Sequence, residues 1–292
     1  MKFGTTYAYW TKQPIENYSD YLYYAKKVED IGFDILEISA SDLLKMSDVE
    51  LKDLKNLAID LELELCSNIG PPKQCDIASA DPAVRAAGIA FLSDIMKKMD
   101  MLDSRYLIGI IHNFWPNDFS DLDKPAVWAR GVEGVKALGK IAENLGIFLC
   151  LEVVNRFDGF VLNTAEEGAR FCDEVDNPYV KIQLDTFHMN IEEDDFSDAI
   201  RLAGNKLVYM HVSEGNRKLP GQGRLPWADI GTTLRDIGFN GRVVMEAIVQ
   251  QGGQIGNDFK IFRDLSSSAD NIGMDNAIKE SLLFLRENFT RC

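Results

Sequence analysis

The stretch GKIAENLGIFLCLEVVNRF, residues 139–157, contains the pattern on which the fold is built. Its first part ends a stripe of apolar residues at helical spacing over 126–145, and Gly146 then supplies a typical helix stop. The nearly continuous apolar run 147–154 reads as a parallel strand that is buried on both faces. This run carries one acidic residue, Glu152. The stretch therefore predicts a helix, a turn and a buried strand that carries a carboxylate near its end.

The same alternation extends along the whole chain. Strands are predicted at 3–9, 33–39, 63–67, 106–111, 147–154, 180–184, 207–212 and 242–247. Helices are predicted at 17–31, 48–61, 82–102, 126–145, 164–175, 195–203, 227–237 and 273–289. This order predicts an α/β protein with one domain over 1–292, a single (β/α)8 TIM barrel. A doubly wound open sheet is the alternative, but the chain has neither GxGxxG after the first strand nor GxxxxGK[ST]. The Gly/Ser-rich stretch 252–271 is expected to be a long loop.

Composition narrows the function further. The 292 residues carry a net charge of −15, and 46 % of them are apolar, which argues against disorder. Such an excess of acid argues against nucleic-acid partners and anionic membrane surfaces, because both need a basic face. The first ten residues lack the apolar core of a signal peptide, and no run is long enough to span a membrane. The five cysteines are odd in number and form no CxxC pair, which favours free thiols and a cytoplasmic location.

Four polar residues lie at the predicted carboxyl ends of the last four strands: Glu152, Asp185, His211 and Glu246. They are separated by 33, 26 and 35 residues, each close to one strand–helix unit. Because barrel strands end at a common mouth, we expect the four side chains to converge. Three carboxylates and one imidazole suit Mn²⁺, with Co²⁺ or Mg²⁺ also possible, better than structural zinc.

A divalent ion flanked by two glutamates suits one reaction especially well. The ion can hold a sugar carbonyl and a neighbouring hydroxyl, acidify the adjacent C–H and stabilise the cis-enediolate that forms. Glu152 and Glu246 could then remove and return the proton on opposite faces, without an organic cofactor. Loop residues could contact the sugar: His188 and Arg217 beyond the metal residues, and Trp115 as an apolar wall. Cys66 is also placed among the substrate-binding residues, with a buried thiol as the alternative.

Several motifs then resemble those of the D-tagatose 3-epimerase and D-allulose (psicose) 3-epimerase family, within the xylose-isomerase-like barrels. They are YAYW at 7–10, GFDILEIS at 32–39, EVVNRF at 152–157, LDTFHMNIEE at 184–193, NRKLPGQGRLPW at 216–227 and the elements GGQIG and FRDLS within 252–266. The resemblance covers nearly the whole chain. LDTFHMNIEE and NRKLPGQGRLPW are its most distinctive parts.

The resemblance implies a role for each matching residue. The family's metal ligands correspond to Glu152, Asp185, His211 and Glu246, and its acid/base pair to Glu152 and Glu246. Its substrate-binding His and Arg correspond to His188 and Arg217. It further implies interconversion of free ketohexoses at C3 (D-fructose with D-allulose, D-tagatose with D-sorbose), dependence on Mn²⁺ or Co²⁺, and a homodimer or homotetramer.

Four departures from the family pattern bear on specificity. Asp158 stands where the family has Glu, and Ile248 where an aromatic residue is common; both are assigned to the substrate pocket. Phe262 replaces a usual Trp, and Thr6 replaces a Tyr found in some members. A change of aromatic to aliphatic at a pocket wall is worth ~1–3 kcal/mol, enough to reorder substrates.

Three other functions are weighed against the epimerase. An aldose–ketose isomerase would move the proton between C1 and C2 on the same scaffold. A metal-dependent endonuclease would need a basic groove and more histidines than the three present. A non-catalytic sugar-binding protein would have no use for two buried glutamates beside a metal. The sequence therefore favours the epimerase and keeps the isomerase as the main alternative.

Overall fold

Eight parallel strands close into one barrel. The computed structural model describes residues 1–15 and 17–290, and all statements below refer to these residues. The strands are β1 (Lys2–Thr5), β2 (Ile35–Ser39), β3 (Glu64–Asn68), β4 (Tyr106–Gly109), β5 (Phe148–Glu152), β6 (Val180–Asp185), β7 (Leu207–Val212) and β8 (Arg242–Met245). They follow one another around the ring, and β1 pairs in parallel with both β2 and β8. The predicted (β/α)8 barrel is confirmed, and the open sheet was the wrong alternative.

The described residues form eleven α-helices. They are α1 (Tyr18–Ile31), α2 (Ala40–Leu43), α3 (Asp48–Asp60), α4 (Pro82–Leu102), α5 (Lys124–Leu145), α6 (Ala165–Val175), α7 (Thr186–Glu192), α8 (Phe196–Ala203), α9 (Trp227–Asp236), α10 (Gly253–Asp258) and α11 (Asn271–Thr290). The eight predicted helices are present, and the short α2, α7 and α10 are additional. The helix α10 lies inside 252–271, so the prediction that this whole stretch is a loop was wrong in that part. No helix described combines the length and apolarity needed to cross a membrane.

Helix boundaries follow local capping chemistry. Asp81 caps α4 through a hydrogen bond from the Ala83 N–H, and proline occupies the first helical position. Helix α5 ends before Gly146, whose φ of +66° lies in the left-handed region that glycine adopts more easily than residues with a side chain. This turn leads directly into β5 and sets the position of Glu152 at the end of that strand.

Two apolar cores fill the molecule. The larger lies between the strands and the surrounding helices. The smaller is formed by strand residues that pack together as expected inside a barrel: Ile35, Cys66, Tyr106, Ile108, Cys150, Tyr209 and Val244. At the amino ends of the strands, the Arg242 guanidinium stacks on the Tyr106 ring at 4.0 Å and forms an ion pair with Glu64 at 2.8 Å. Side chains therefore fill the barrel interior, and a ligand site is expected at the mouth where the strands end.

Four of the five cysteines lie in the described residues. Cys66, Cys75, Cys150 and Cys172 are free thiols, and Cys292 lies outside the described residues.

Candidate active site

The four predicted metal-binding side chains meet at the carboxyl end of the barrel. Glu152 ends β5, Asp185 ends β6, His211 is the penultimate residue of β7, and Glu246 follows β8. One ligand atom from each lies within 4.8 Å of the others. Three of these side chains are buried and Glu246 is partly buried, so the cluster concentrates negative charge where water is scarce. Burying carboxylates costs several kcal/mol unless positive charge compensates them.

His211 is oriented by a buried carboxylate that sequence reasoning missed. Its Nε2 donates to Oε2 of Glu37 on β2 at 2.8 Å. The same carboxylate accepts hydrogen bonds from the Tyr209 hydroxyl at 2.8 Å and from the Asn68 amide at 2.9 Å. Burial lowers the pKa of His211, but the nearby carboxylates of Glu37 and Glu246 outweigh it and raise that pKa well above its usual value. In the neutral form that a cation would require, Glu37 holds the hydrogen on Nε2 and leaves the lone pair of Nδ1 facing the cluster.

Gln183 supports the same assignment from the other side of the ring. Its Oε1 accepts from the backbone N–H of Gly109 at 3.0 Å, which turns Nε2 of the amide toward His211. That Nε2 lies 3.0 Å from His211 Nδ1. Since the amide nitrogen can only donate, Nδ1 accepts from it when the ring is neutral, and a metal-binding nitrogen needs the same lone pair.

Arg217 supplies the positive charge nearest the cluster. Its Nη1 donates to Oδ2 of Asp185 at 2.9 Å and to Oε2 of Glu246 at 2.8 Å. The guanidinium also stacks on the ring of Phe187 at 4.0 Å. Only 5 % of Arg217 is exposed, and its φ of +66° shows that the loop turns sharply there. The side chain is thus held between two carboxylates at the edge of the cavity.

A buried carboxylate holds the loop that carries Arg217. Glu214 accepts hydrogen bonds from the backbone N–H groups of Gly221 and Arg224 and from the indole of Trp227, at 2.8–3.0 Å. Its own backbone carbonyl accepts the Arg217 N–H at 2.8 Å. Glu214 therefore organises the loop between β7 and α9, and through it the position of Arg217.

The three carboxyl groups of the cluster have different pKa values because their surroundings differ. Burial raises the pKa of Glu152 to about 7, and burial raises the pKa of Asp185 to about 6 despite the charge of Arg217. Burial also acts on Glu246, but the charges of His211 and Arg217 outweigh it and hold its pKa below its usual range. A cation bound among these groups would lower all three pKa values, because opposite charge favours the ionised form.

His188 and Asp158 flank the cluster at the cavity wall. Nε2 of His188 lies 3.6 Å from Oδ2 of Asp185 and 3.8 Å from Oε1 of Glu152. Its Nδ1 lies 3.9 Å from Oδ2 of Asp158. Burial and the nearby charge of Arg217 hold the pKa of His188 well below its usual value, so the imidazole is neutral. A neutral imidazole can present one N–H donor to a ligand.

Two adjoining cavities open over the cluster. The smaller, of about 100 Å³, is lined by six of the predicted residues: Trp115, Glu152, Asp158, His188, Arg217 and Glu246. The larger, of about 300 Å³, shares Trp115 and Glu246 and reaches Thr6 and Ile248 near β1. The Trp115 ring packs beside Phe259 with centroids 5.9 Å apart, which forms an apolar wall.

Two predicted residues lie elsewhere. Cys66 was expected among the substrate-binding residues at the end of its strand, but it lies in the middle of β3, fully buried in the barrel interior, and lines neither cavity. Its placement in the substrate pocket was therefore wrong, and the alternative of a buried thiol holds. Phe262 is 72 % exposed and also lines neither cavity.

The cluster fits a divalent cation. Its four side chains could each offer one ligand atom to the same ion. Three carboxylates and one imidazole suit a hard ion such as Mn²⁺ or Mg²⁺. A metal-binding histidine typically binds the metal through one ring nitrogen and donates the hydrogen on the other to a carboxylate. His211 fits this pattern, because Nε2 contacts Glu37 and Nδ1 of the neutral ring would be available to a metal.

Comparisons with known proteins agree with this geometry. The sequence profile of the "Xylose isomerase-like TIM barrel" family matches residues 25–287. The D-psicose 3-epimerase of Ruminiclostridium cellulolyticum is 45 % identical over 287 residues, 98 % of this chain and 97 % of the relative. The D-psicose 3-epimerase of Agrobacterium fabrum is 46 % identical over 287 residues, 98 % of each chain. The chain belongs to the D-psicose 3-epimerase family.

Solved structures lead to the same family. The D-psicose 3-epimerase of Clostridium cellulolyticum H10, determined with D-tagatose, superposes with a TM-score of 0.96 at 44 % identity, covering 100 % of both chains. D-Psicose 3-epimerases are isomerase-class enzymes, and the family resemblance inferred from the sequence motifs is confirmed.

Proposed function

We propose that this protein is a divalent-metal-dependent ketose 3-epimerase that acts on free ketohexoses, such as the pairs D-fructose/D-allulose and D-tagatose/D-sorbose. The observation that carries the proposal is the convergence of ligand atoms of Glu152, Asp185, His211 and Glu246 within 4.8 Å of one another, with Glu152 and Glu246 also lining the smaller cavity. The names of the related enzymes support the same reaction.

The two glutamates would carry the proton. Glu152 and Glu246 reach the cavity from strands three places apart on the ring, so they can address the substrate carbon from different sides. Both glutamates line the smaller cavity, and one would remove the C3 proton as general base while the other returned a proton as general acid. Transfer in the reverse sense would return the original epimer.

The remaining residues would bind and orient the substrate. A cation held by the four ligands would polarise the substrate carbonyl and acidify the neighbouring C–H. Arg217 and the Nε2–H of His188 would donate to sugar oxygens, and Asp158 would accept from a hydroxyl. Trp115 and Ile248 would cover the apolar faces of the sugar.

The lining of the cavities favours an unphosphorylated sugar. Among the described residues Arg217 is the one cationic residue that lines either cavity, apart from the histidine, and its guanidinium is already paired with Asp185 and Glu246. A phosphate needs several free donors or positive charges, and these walls offer mainly carboxylates, hydroxyls and apolar groups. We further propose Mn²⁺ as the resident ion, a homodimer or homotetramer, and a cytoplasmic location, the last supported by the free thiols.

A deuterium-exchange experiment tests the proposal. The protein is stripped with EDTA, reloaded with Mn²⁺ and incubated in D₂O with D-fructose, D-tagatose or D-allulose in separate reactions. The Mn²⁺ is removed before NMR spectra of the sugars are recorded. Metal-dependent deuterium at C3 together with the C3 epimer supports the proposal. Deuterium at C1 with an aldose product would establish the isomerase instead, and no exchange from any of these sugars would refute free ketohexoses as substrates.

A further inference from the structure

Nδ1 of His188 is held by a residue that has no direct part in the proposed proton transfer. Nδ1 of His188 faces Asn155, in the loop that follows β5. The backbone N–H of Asn155 donates to this Nδ1 at 3.1 Å, and the side-chain Nδ2 of Asn155 lies 2.7 Å from it. Both residues are buried, with 1 % of Asn155 and 5 % of His188 exposed. Solvent therefore does not compete for these contacts.

The orientation of the Asn155 amide is fixed independently. Its Oδ1 accepts the backbone N–H of Phe157 at 2.8 Å, so its Nδ2 must point toward His188. An amide nitrogen and a backbone N–H are donors only, and two donors on one ring nitrogen leave no room for a hydrogen there. The hydrogen of the neutral ring is consequently on Nε2.

That Nε2–H points toward the cluster without being used by it. The nearest carboxylate oxygens, from Asp185 and Glu152, lie 3.6 and 3.8 Å from Nε2, beyond hydrogen-bond distance. His188 lines the smaller cavity, where a bound sugar would place an oxygen. The structure therefore contains an oriented donor whose acceptor must come from the ligand.

We propose that Asn155 is a positioning residue, which holds His188 in the Nε2–H tautomer so that the ring donates a hydrogen bond to a substrate oxygen. The inference rests on the proposed function, because it assumes that a ketose occupies this cavity. The two histidines of the site are then held in the same tautomer for opposite purposes. Glu37 takes the Nε2–H of His211 and frees Nδ1 for a metal, whereas Asn155 occupies Nδ1 of His188 and frees Nε2–H for the sugar.

The tautomer can be observed directly, because the chain has only three histidines. Enzyme labelled with ¹⁵N-histidine is loaded with diamagnetic Mg²⁺, and long-range ¹H–¹⁵N correlation spectra are recorded with and without D-allulose. The variant H188Q identifies the His188 signals by their loss. We expect a proton on Nε2 and none on Nδ1, and a shift of the Nε2–H signal when the sugar binds. A proton on Nδ1, or an Nε2–H signal that ignores bound sugar, would overturn the inference.

The variant N155D tests the cause. Aspartate keeps an acceptor for the Phe157 N–H but replaces the donor at His188 Nδ1 with an acceptor. We expect a proton to appear on Nδ1, together with about a hundredfold fall in kcat. If N155D keeps the original tautomer and turnover, Asn155 is not the determinant.

The control variant is N163D, in the same loop. Asn163 donates to the carbonyls of Val154 and Gly159 and makes no contact with His188 among the described hydrogen bonds, so its replacement disturbs the loop while leaving the His188 tautomer unchanged. A change of tautomer in N163D would show that loop geometry alone sets the proton, and would overturn the inference. The spectra are independent of turnover, whereas exchange at C3 reports the proposed function, so either can fail without the other.

Discussion

Nε2 of His211 and Oε2 of Glu37 lie 2.8 Å apart, although 174 residues separate them along the chain. The contact crosses the barrel interior from β7 to β2 and is fully buried. It links the half of the barrel that supplies the four candidate metal ligands to the half that supplies none. The orientation of the one nitrogen among the four candidate ligands thus depends on a strand that has no other part in the cluster.

Replacing Glu37 with Gln should weaken metal binding. The neutral amide can no longer stabilise the Nε2–H of His211 with a negative charge, and loss of such a contact typically costs ~10–100-fold in metal affinity. The Kd for Mn²⁺ is measured by competition with a chelator. The control is Tyr209→Phe, which removes a different hydrogen bond to the same oxygen of Glu37. If E37Q binds Mn²⁺ as tightly as the wild type, Glu37 does not support the ligand.

Replacing either of the two proposed acid/base glutamates should greatly slow epimerisation but leave exchange of the C3 proton in one of the two epimers. In Glu152→Gln and Glu246→Gln, kcat should fall by ~10²–10⁴, because one proton transfer is lost. Each variant retains one base, so each should exchange the C3 proton of only one epimer in D₂O. D-Fructose and D-allulose are tested separately, and bound metal is measured by elemental analysis. Exchange from both epimers in one variant would contradict the two-base arrangement.

Replacing Ile248 with Phe should change substrate preference more than turnover. Ile248 is buried at the wall of the larger cavity, where added bulk narrows the space for the end of the sugar away from the metal. We expect the ratio of kcat/KM between D-fructose and D-tagatose, which differ at C4, to change by ~10-fold or more. The volume-conserving variant Ile248→Leu is the control and should preserve the ratio. If the wild type, Ile248→Phe and Ile248→Leu all show the same ratio of kcat/KM, Ile248 does not determine the preference between these two sugars.

Acidification should destabilise the fold through His112. This residue is 1 % exposed and stacks edge-on against Phe171, and burial lowers its pKa to about 3. In the unfolded chain it titrates near its ordinary value of ~6.5, so only the unfolded state gains a proton as the pH falls from ~6.5 toward 3. His112 should therefore make the free energy of unfolding ~2 kcal/mol lower at pH 5 than at pH 8.

Chemical denaturation of the wild type and His112→Phe at both pH values measures this cost. Phenylalanine keeps an aromatic ring but has no titratable nitrogen, so the variant should lose less stability on acidification by that amount. The same loss in both proteins would rule out His112 as the source.

The fold and the four-residue cluster were predictable because both follow from simple periodicities. Apolar runs alternating with helical stripes indicate a barrel, and strand ends on a barrel share one mouth, which brings Glu152, Asp185, His211 and Glu246 together. The supporting residues were not predictable in this way. Glu37 lies inside a buried strand, and only the closed ring shows that it faces His211. A lone glutamate in the apolar run FDILEIS was the available signal.

Other differences have the same origin. Glu214 and Asn155 act through loop backbone contacts that no spacing rule describes. Cys66 was misplaced by two residues along its strand, which is enough to move a side chain from the mouth of a barrel to its interior.

The contacts of Arg217 have a consequence for how the protein is assembled. By bridging Asp185 and Glu246, the arginine brings an internal positive charge to carboxylates that would otherwise repel one another during folding. We therefore expect the polypeptide to fold without a bound ion and to remain folded when an ion is removed. Loading of the proposed metal would then be a separate and reversible step that follows synthesis of the chain.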